Sequence, residues 1–240
     1  MRTFLSIAML CLCTLAQGQV PDHKVFSELL EKYVSGDGEV SYTGFIHDIE
    51  LFQSYLNSLS QNPPTAAWTD NQRKAFWINA YNAFTIKLIA DNYPVKSIKD
   101  LGGWIYKVNT AWDIRFVKIG KETLDLNNIE HEKLRREFDD PRIHFAIVCA
   151  SKSCPKLLNE AYVAEKLDEQ LDQAGRSFLG DPSRNKISKD KVELSSIFKW
   201  YKGDFTKKSS LIEFVNQYTQ QKINRDANIS YLDYDWSLNE

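Results

Sequence analysis

The densest run of apolar positions lies between residues 73 and 91. Apolar side chains in this run fall on nearly every face of a helix instead of along one stripe. A helix with this pattern is buried on all sides, because a solvent-exposed face would carry polar side chains. Thr69 and Gln72 precede the run with the spacing of a capping box, and Pro94 follows it. Residues 73–91 are therefore predicted to form the central buried helix.

Helices with one apolar face are predicted before and after this segment. Residues 25–34 and 46–59 are amphipathic, and glycines lie in the turn between them. Residues 159–178 carry one apolar stripe, formed by Leu167, Leu171, Ala174 and Phe178. Shorter helices are predicted at residues 195–201 and 210–222. Asn127 is expected to cap another short helix, with Glu130 as the reciprocal partner in a capping box.

Strand patterns appear in the second half of the chain. A hairpin is predicted around Ile119-Gly120, and further strands at residues 143–148, 191–194 and 229–236. Because helices come first and strands mix with helices afterwards, the sequence indicates the α+β class. We expect the central helix to pack on a small, mostly antiparallel sheet.

One domain is expected after a cleaved leader peptide. Arg2, an apolar stretch at residues 4–15 and the small residues Ala16 and Gly18 are typical of a secretory signal peptide. The alternative is a buried N-terminal helix. We therefore expect a signal peptide at residues 1–18 and a single domain at 19–240, with N-terminal helices at about 19–65 and a core at about 66–240. The protein is predicted to be exported, to the periplasm or the extracellular space.

The composition and the absence of several known motifs exclude a number of functional classes. The 240 residues are 43% hydrophobic and 26% charged, which excludes intrinsic disorder. The net charge of −2, without runs of like charge, gives no support for a nucleic-acid partner. No apolar stretch after the leader is long enough to span a membrane. The sequence has no glycine-rich phosphate loop, GxSxG, HExxH or CxxC motif, so we predict no cofactor.

The candidate chemistry is concentrated between His131 and Cys154. Cys154 lies in a polar loop ahead of a predicted helix, where free amides and the helix dipole lower the pKa of a thiol. His131 lies near the start of its predicted helix, a position that favours the neutral imidazole. His144 and Cys149 fall on opposite faces of the predicted strand, which makes His144 a poor base for Cys149.

Other interpretations of the same residues stay open. Cys149 and Cys154 would form a disulfide in an oxidising compartment, leaving His131 with a structural role. A zinc site with both cysteines and a histidine is a third interpretation. Asn79 and Asn82 share one face of the central helix, and they either tie backbone segments together or orient a catalytic base and an oxyanion.

Four segments together resemble the domain-of-unknown-function family 547. They are FWINAYNAF at 76–84, LNNIEHEKLR at 126–135, DPRIHFAIVCASKSCPKL at 140–157 and YLDYDWSLN at 231–239. The resemblance implies a relation to papain-like and transglutaminase-like cysteine hydrolases, and a papain-like architecture. In papain-like enzymes the nucleophile begins the central helix, but this helix has no cysteine, so catalytic roles do not transfer. The motif positions carried over are His131, His144, Cys149, Ser153, Cys154, Asn79 and Asn82.

These observations lead to two functional expectations. The first is an exported cysteine-dependent hydrolase or acyl transferase acting on a peptide-like or cell-envelope substrate. Cys154 and His131 lead its candidate catalytic residues, followed by Cys149, His144, Asn82 and Asn79. The second is a non-catalytic exported module, in which a Cys149–Cys154 disulfide stabilises the loop and an aromatic surface binds a partner or a glycan. The sequence does not define the oligomeric state.

Overall fold

A computed structural model describes residues 19–103 and 109–240. The predicted signal peptide, residues 1–18, lies outside the described residues. The α-helices are α1 Lys24–Tyr33, α2 Tyr42–His47, α3 Ile49–Gln61, α4 Asp70–Asp91, α5 Leu167–Gly180, α6 Ile197–Trp200, α7 Lys202–Phe205 and α8 Leu211–Val215. A π-helix spans Asn128–Arg135, and 3-10 helices span Ile98–Asp100, Ala111–Asp113 and Pro141–Phe145.

The strands form two small sheets. Strands β1 (Val117–Ile119) and β2 (Glu122–Leu124) make an antiparallel hairpin, with Val117 opposite Leu124. Strands β3 (Lys186–Ile187), β4 (Lys191–Leu194) and β5 (Asn228–Tyr231) make the second sheet. In this sheet β3 is antiparallel to β4, whereas β5 is parallel to β4. The fold is therefore α+β, as predicted.

Helix α4 is the centre of the larger apolar core. The hydroxyl of Thr69 accepts a hydrogen bond from the Gln72 amide at 3.2 Å, and the Thr69 amide donates to Gln72 Oε1 at 2.9 Å, which confirms the predicted capping box. From Lys74 to Ile89 nearly every side chain of the helix is buried. A second apolar core lies around Phe145 and includes buried residues of α5, α6, α7 and α8. Among the described residues, no helix combines the length and apolar character that a bilayer crossing requires.

The prediction of a strand at residues 143–148 is wrong. Residues Pro141–Phe145 form a 3-10 helix, because the carboxylate of Asp140 accepts from the Arg142 amide and Pro141 occupies the first turn. The residues that follow form hydrogen bonds with a side chain instead of a strand. Asn82 donates to the carbonyl of Ala146 and accepts from the amide of Val148, both at 2.9 Å. Buried backbone groups need hydrogen-bond partners, and here a side-chain amide supplies them in place of a neighbouring strand.

Three predicted helices are shorter or divided. Residues 46–59 contribute to both α2 and α3, which are separated at Asp48. Helix α5 begins only at Leu167, because the side chains of Asn79 and Gln170 hold the preceding backbone in an irregular path. Helix α8 ends at Val215, although its predicted segment continued to residue 222. The stripe from Leu167 to Phe178 is buried as predicted.

Three further predictions need correction. The hairpin is present, but each of its strands is three residues long, and Asp113 ends a 3-10 helix ahead of the first strand. Asn127 makes no side-chain cap on the π-helix; its amide donates to Asp113 at 2.8 Å. The carboxylate of Asp125 accepts from the Asn128 amide instead, so Glu130 has no capping partner. The strand predicted at residues 229–236 is confirmed only for residues 229–231, which lie in β5.

Replacing Asn82 by Ala should lower the free energy of unfolding by about 3 kcal/mol, because two buried backbone groups lose their partner. Asn71→Ala is the matched control on the same helix, since the Asn71 amide makes a single 3.5 Å contact with the carbonyl of Ala164. It should cost less than about 1 kcal/mol. Urea unfolding at pH 7 measures both values, and equal losses would contradict the structural role of Asn82.

Candidate functional site

The two cysteines of the described chain open into one cavity of about 290 Å³. Its lining is mostly aromatic and apolar, with a few polar groups that converge on the same space. The residues are Tyr81, Trp112, Asn127, Glu130, His144, Ile147, Cys149, Cys154, Pro155, Ile197, Trp200, Tyr201, Tyr234 and Trp236. A concave apolar site with a few placed polar groups is the usual form of a ligand-binding pocket.

The loop that carries the cysteines depends on a left-handed residue. Ala150 has φ 57°, a conformation that an L-residue with a side chain rarely adopts. The C-terminal segment holds the loop on this side. The amides of Lys152 and Ser153 donate to the carbonyls of Ser237 and Asp235, and the Asn239 amide donates to the carbonyl of Ala150. The hydroxyl of Ser153 accepts from the Asp235 amide at 2.8 Å, so this motif residue has a structural role.

The Cys149 and Cys154 sulfurs are free thiols in close contact. They lie 2.7 Å apart, which is longer than the covalent S–S bond of about 2.05 Å. The loop therefore holds both sulfurs together without the predicted disulfide. Cys154 is buried, whereas Cys149 is partly exposed.

Several donors surround the sulfur of Cys154. The backbone amide of Cys149 donates to it at 3.1 Å, the hydroxyl of Tyr234 at 3.2 Å and the hydroxyl of Ser151 at 3.3 Å. Hydrogen bonds to an anion stabilise it more than they stabilise the neutral thiol. The arrangement therefore favours a thiolate at Cys154.

The two thiols titrate as a coupled pair. Burial raises the pKa of Cys154, but hydrogen bonds from Cys149, Ser151 and Tyr234 outweigh it and lower this pKa to about 6. The hydrogen bond with Cys154 and then burial raise the pKa of Cys149 well above its ordinary value. The pair consequently holds one proton near neutral pH, and the negative charge lies on Cys154.

His144 shares this cavity and is oriented by a carboxylate. Its Nε2 lies 2.8 Å from Asp204 Oδ2, and its ring stacks on Tyr201 with centroids 4.0 Å apart. Hydrogen bonds from His144 and Arg135 outweigh burial and hold the pKa of Asp204 well below its usual range. Because an ionised carboxylate only accepts, Nε2 carries a proton, and Nδ1 is the nitrogen free for proton transfer.

His131 lies outside the cavity lining. Its Nδ1 is 2.9 Å from a terminal nitrogen of Arg135, and guanidinium groups only donate. Nδ1 therefore accepts this hydrogen bond. Among the described residues, no histidine is hydrogen-bonded to either cysteine sulfur. The structure therefore brings Cys149, Cys154 and His144 together and leaves His131 outside.

Asn79 and Asn82 are buried away from the cavity and bind backbone. The amide of Asn79 donates to the carbonyl of Tyr162 at 2.8 Å and accepts from the Tyr162 amide at 2.9 Å. Asn82 holds Ala146 and Val148 in the same way. Both asparagines therefore tie backbone segments together, which is the first of the two interpretations given above. The side-chain donor and acceptor of each residue are occupied by these backbone groups.

The sequence analysis missed four residues of the site. Tyr234 and Trp236 belong to the aromatic tail, which was predicted only to dock as a strand. Asp204 lies in α7, 60 positions from its partner His144. Glu130 was assigned to a cap, yet it is 4% exposed and lines the cavity. The YLDYDWSLN motif contains Tyr234 and Trp236, and the LNNIEHEKLR motif contains Glu130, whereas none of the quoted motifs contains Asp204.

No set of three or more metal-binding side chains comes together in residues 19–103 and 109–240. The two cysteines of the predicted zinc alternative are instead engaged with each other, with Ser151 and with Tyr234.

The comparisons with known proteins give one result. The family model described as "Protein of unknown function, DUF547" matches residues 65–179, just under half of the chain. No curated protein and no solved structure matches the chain. The matched segment contains α4, the π-helix and the thiol loop, and with them three of the four sequence motifs, whereas YLDYDWSLN at 231–239 lies outside it. The relation to papain-like hydrolases stays a prediction. Residues 65–179 of this chain belong to the DUF547 family.

Proposed function

We propose that the protein is a cysteine-dependent hydrolase or acyl transferase whose nucleophile is Cys154. The observation that carries the proposal is the thiolate environment of Cys154, with three protein donors around the sulfur inside a ligand-sized cavity. A thiolate is the reactive form of cysteine in nucleophilic catalysis. The Asp204-oriented His144 on the same cavity replaces His131 as the proton-transfer residue.

The proposed reaction needs only these groups and water. The Cys154 thiolate attacks an acyl carbon, forms an S–C bond and moves the carbonyl electrons onto oxygen. Return of those electrons expels an amine or alcohol, which takes a proton from the protonated form of His144. Water then attacks the thioester, gives its proton to His144 and releases the acid and the thiolate. An acceptor amine in place of water makes the second step an acyl transfer.

The contact between the thiols favours a second candidate function, reversible dithiol–disulfide chemistry. In it, the Cys154 thiolate attacks a disulfide of a substrate and releases one substrate thiolate. Cys149, once deprotonated, attacks the mixed disulfide, forms the Cys149–Cys154 bond and expels the second thiolate. The 2.7 Å separation of the sulfurs supports this step. A permanent disulfide would instead support the non-catalytic module.

Cavity size and the leader pattern refine the proposal. A volume of about 290 Å³ lies at the lower limit of ordinary ligand pockets, which are about 300–1,000 Å³. The site therefore suits a single residue of a peptide-like substrate, or a small acyl compound. The signal-peptide pattern of residues 1–18 supports action in the periplasm or outside the cell.

The first test concerns the pKa of Cys154. In the reduced protein, iodoacetamide labelling of Cys154 should reach half of its maximum rate near pH 6, because its pKa is lowered to about 6. An ordinary thiol reaches that point near pH 8.5. Tyr234→Phe removes one donor and should raise the midpoint by about one pH unit.

Tyr231→Phe is the control for this substitution, since Tyr231 lies in β5 and makes no contact with the sulfurs. Mass spectrometry identifies which cysteine is labelled at each pH. A wild-type midpoint near pH 8.5, or equal midpoints for both tyrosine variants and the wild type, would contradict the thiolate site.

The second test separates acyl transfer from redox chemistry. Incubation with p-nitrophenyl acetate should release nitrophenol in a burst and leave an acetyl group on Cys154. His144→Gln should slow hydrolysis of the acyl-enzyme by at least about 100-fold, because water loses its general base. His131→Gln is the matched control and should retain nearly full activity. Absence of the adduct, with rapid oxidation of the thiols by a small disulfide, would favour the dithiol function.

Export has its own test. Protein recovered from the native host should begin at or near Gln19, because cleavage is expected after Gly18. N-terminal sequencing of the soluble product measures this directly. A soluble product that retains residues 4–15 would contradict export by this signal.

A further inference from the structure

The cavity combines an aromatic wall with one acidic side chain. Six aromatic side chains line it, namely Tyr81, Trp112, Trp200, Tyr201, Tyr234 and Trp236. Trp200, Tyr234 and Trp236 contact one another, with ring centroids 4.5–5.7 Å apart, and Trp200 is 48% exposed at the rim. The faces of such rings attract cations through their quadrupoles.

Glu130 brings an unpartnered oxygen to this cavity. The residue is 4% exposed, and its Oε1 has no hydrogen-bond partner among the described residues. Buried carboxylate oxygens almost always have partners, because an unsatisfied one costs the full penalty of desolvation. Because Glu130 also lines the ligand-sized cavity, its unpartnered oxygen indicates a missing donor.

The neighbouring cations are already engaged. His131 Nδ1 lies 3.9 Å from Glu130 Oε1, but that nitrogen accepts from Arg135 and carries no proton to donate. The guanidinium of Arg135 donates to Asp204 at 2.6 Å and also lies over the ring of Tyr201. In the described part of the chain, no Lys or Arg forms an ion pair with Glu130.

We propose that this cavity binds the primary ammonium group of a small ligand, with Glu130 Oε1 as its acceptor and the aromatic rings around its alkyl part. The proposal rests on the proposed function, since it assigns the substrate class of the same site: an acyl compound or acyl acceptor that carries an –NH₃⁺ group. Neither the hydrolase nor the dithiol chemistry requires such a group.

The orphaned oxygen favours a primary ammonium over a quaternary one. Both cations interact with aromatic faces, but a quaternary ammonium has no N–H to donate. A neutral alcohol of the same size donates a hydrogen bond without the charge. An anion is repelled by Glu130 and by the Cys154 thiolate.

Binding of n-butylammonium to the reduced full chain tests the proposal. Titration followed by NMR should perturb the indole signals of Trp112, Trp200 and Trp236. The Kd should be at least tenfold lower than the Kd of n-butanol or tetramethylammonium. Glu130→Gln should weaken n-butylammonium binding at least tenfold, whereas Trp200→Leu should weaken it a few-fold.

The matched control is Glu132→Gln, on an exposed residue of the same π-helix, and it should bind like the wild type. Equal affinity for n-butylammonium and n-butanol, or wild-type affinity in Glu130→Gln, would overturn the proposal. Tighter binding of tetramethylammonium than of n-butylammonium would also overturn it, because it would indicate an aromatic cage that binds cations without a hydrogen bond. Repeating the titration with Cys154→Ser separates the two proposals, because ammonium binding should persist there while acyl transfer is lost.

Discussion

The arrangement of the site depends on side-chain amides that pair with backbone. Asn82 offers a donor and an acceptor at the spacing of a peptide unit, so it binds the carbonyl of Ala146 and the amide of Val148 without a partner strand. Asn79 does the same for Tyr162, and Asn216 for Ile223. The first of these pairings lies directly before Cys149. The buried helix α4 therefore fixes the start of the thiol loop from inside the core.

The other end of the loop is fixed from the surface. A left-handed residue with a side chain costs about 1–2 kcal/mol, and Ala150 keeps that conformation because three backbone hydrogen bonds join the loop to the C-terminal segment. Gly38 packs on the same region, where a Cβ would lie 2.8 Å from the Lys156 backbone. The position of the Cys149 amide against the Cys154 sulfur thus depends on segments from both ends of the described chain.

These connections explain what the sequence could and could not reveal. The capping box at Thr69 and the all-round apolar pattern of α4 are local signals, and both are confirmed. The strand predicted at residues 143–148 was wrong because its pairing group is a side chain on a distant helix. Tyr234 and Asp204 reach the site through tertiary contacts that no local spacing encodes. Cys154 could be singled out from its polar loop, but the donors around its sulfur could not.

Arg135 connects the histidine outside the cavity with the carboxylate that orients His144. Its guanidinium donates to His131 on one side and to Asp204 on the other, and the second contact helps to keep the pKa of Asp204 low. The cavity itself then contains two sites of negative charge, Glu130 and the Cys154 thiolate. Burial raises the pKa of Tyr81, whose hydroxyl accepts a hydrogen bond from the Trp112 indole at 3.1 Å in the cavity wall.

A cation bound beside Glu130 would offset the repulsion between these two negative charges and so favour the thiolate. Because such coupling is reciprocal, ionisation of the thiol would strengthen cation binding by the same factor. The ammonium group of a ligand and the nucleophile would thereby be linked through the cavity without any movement of the fold.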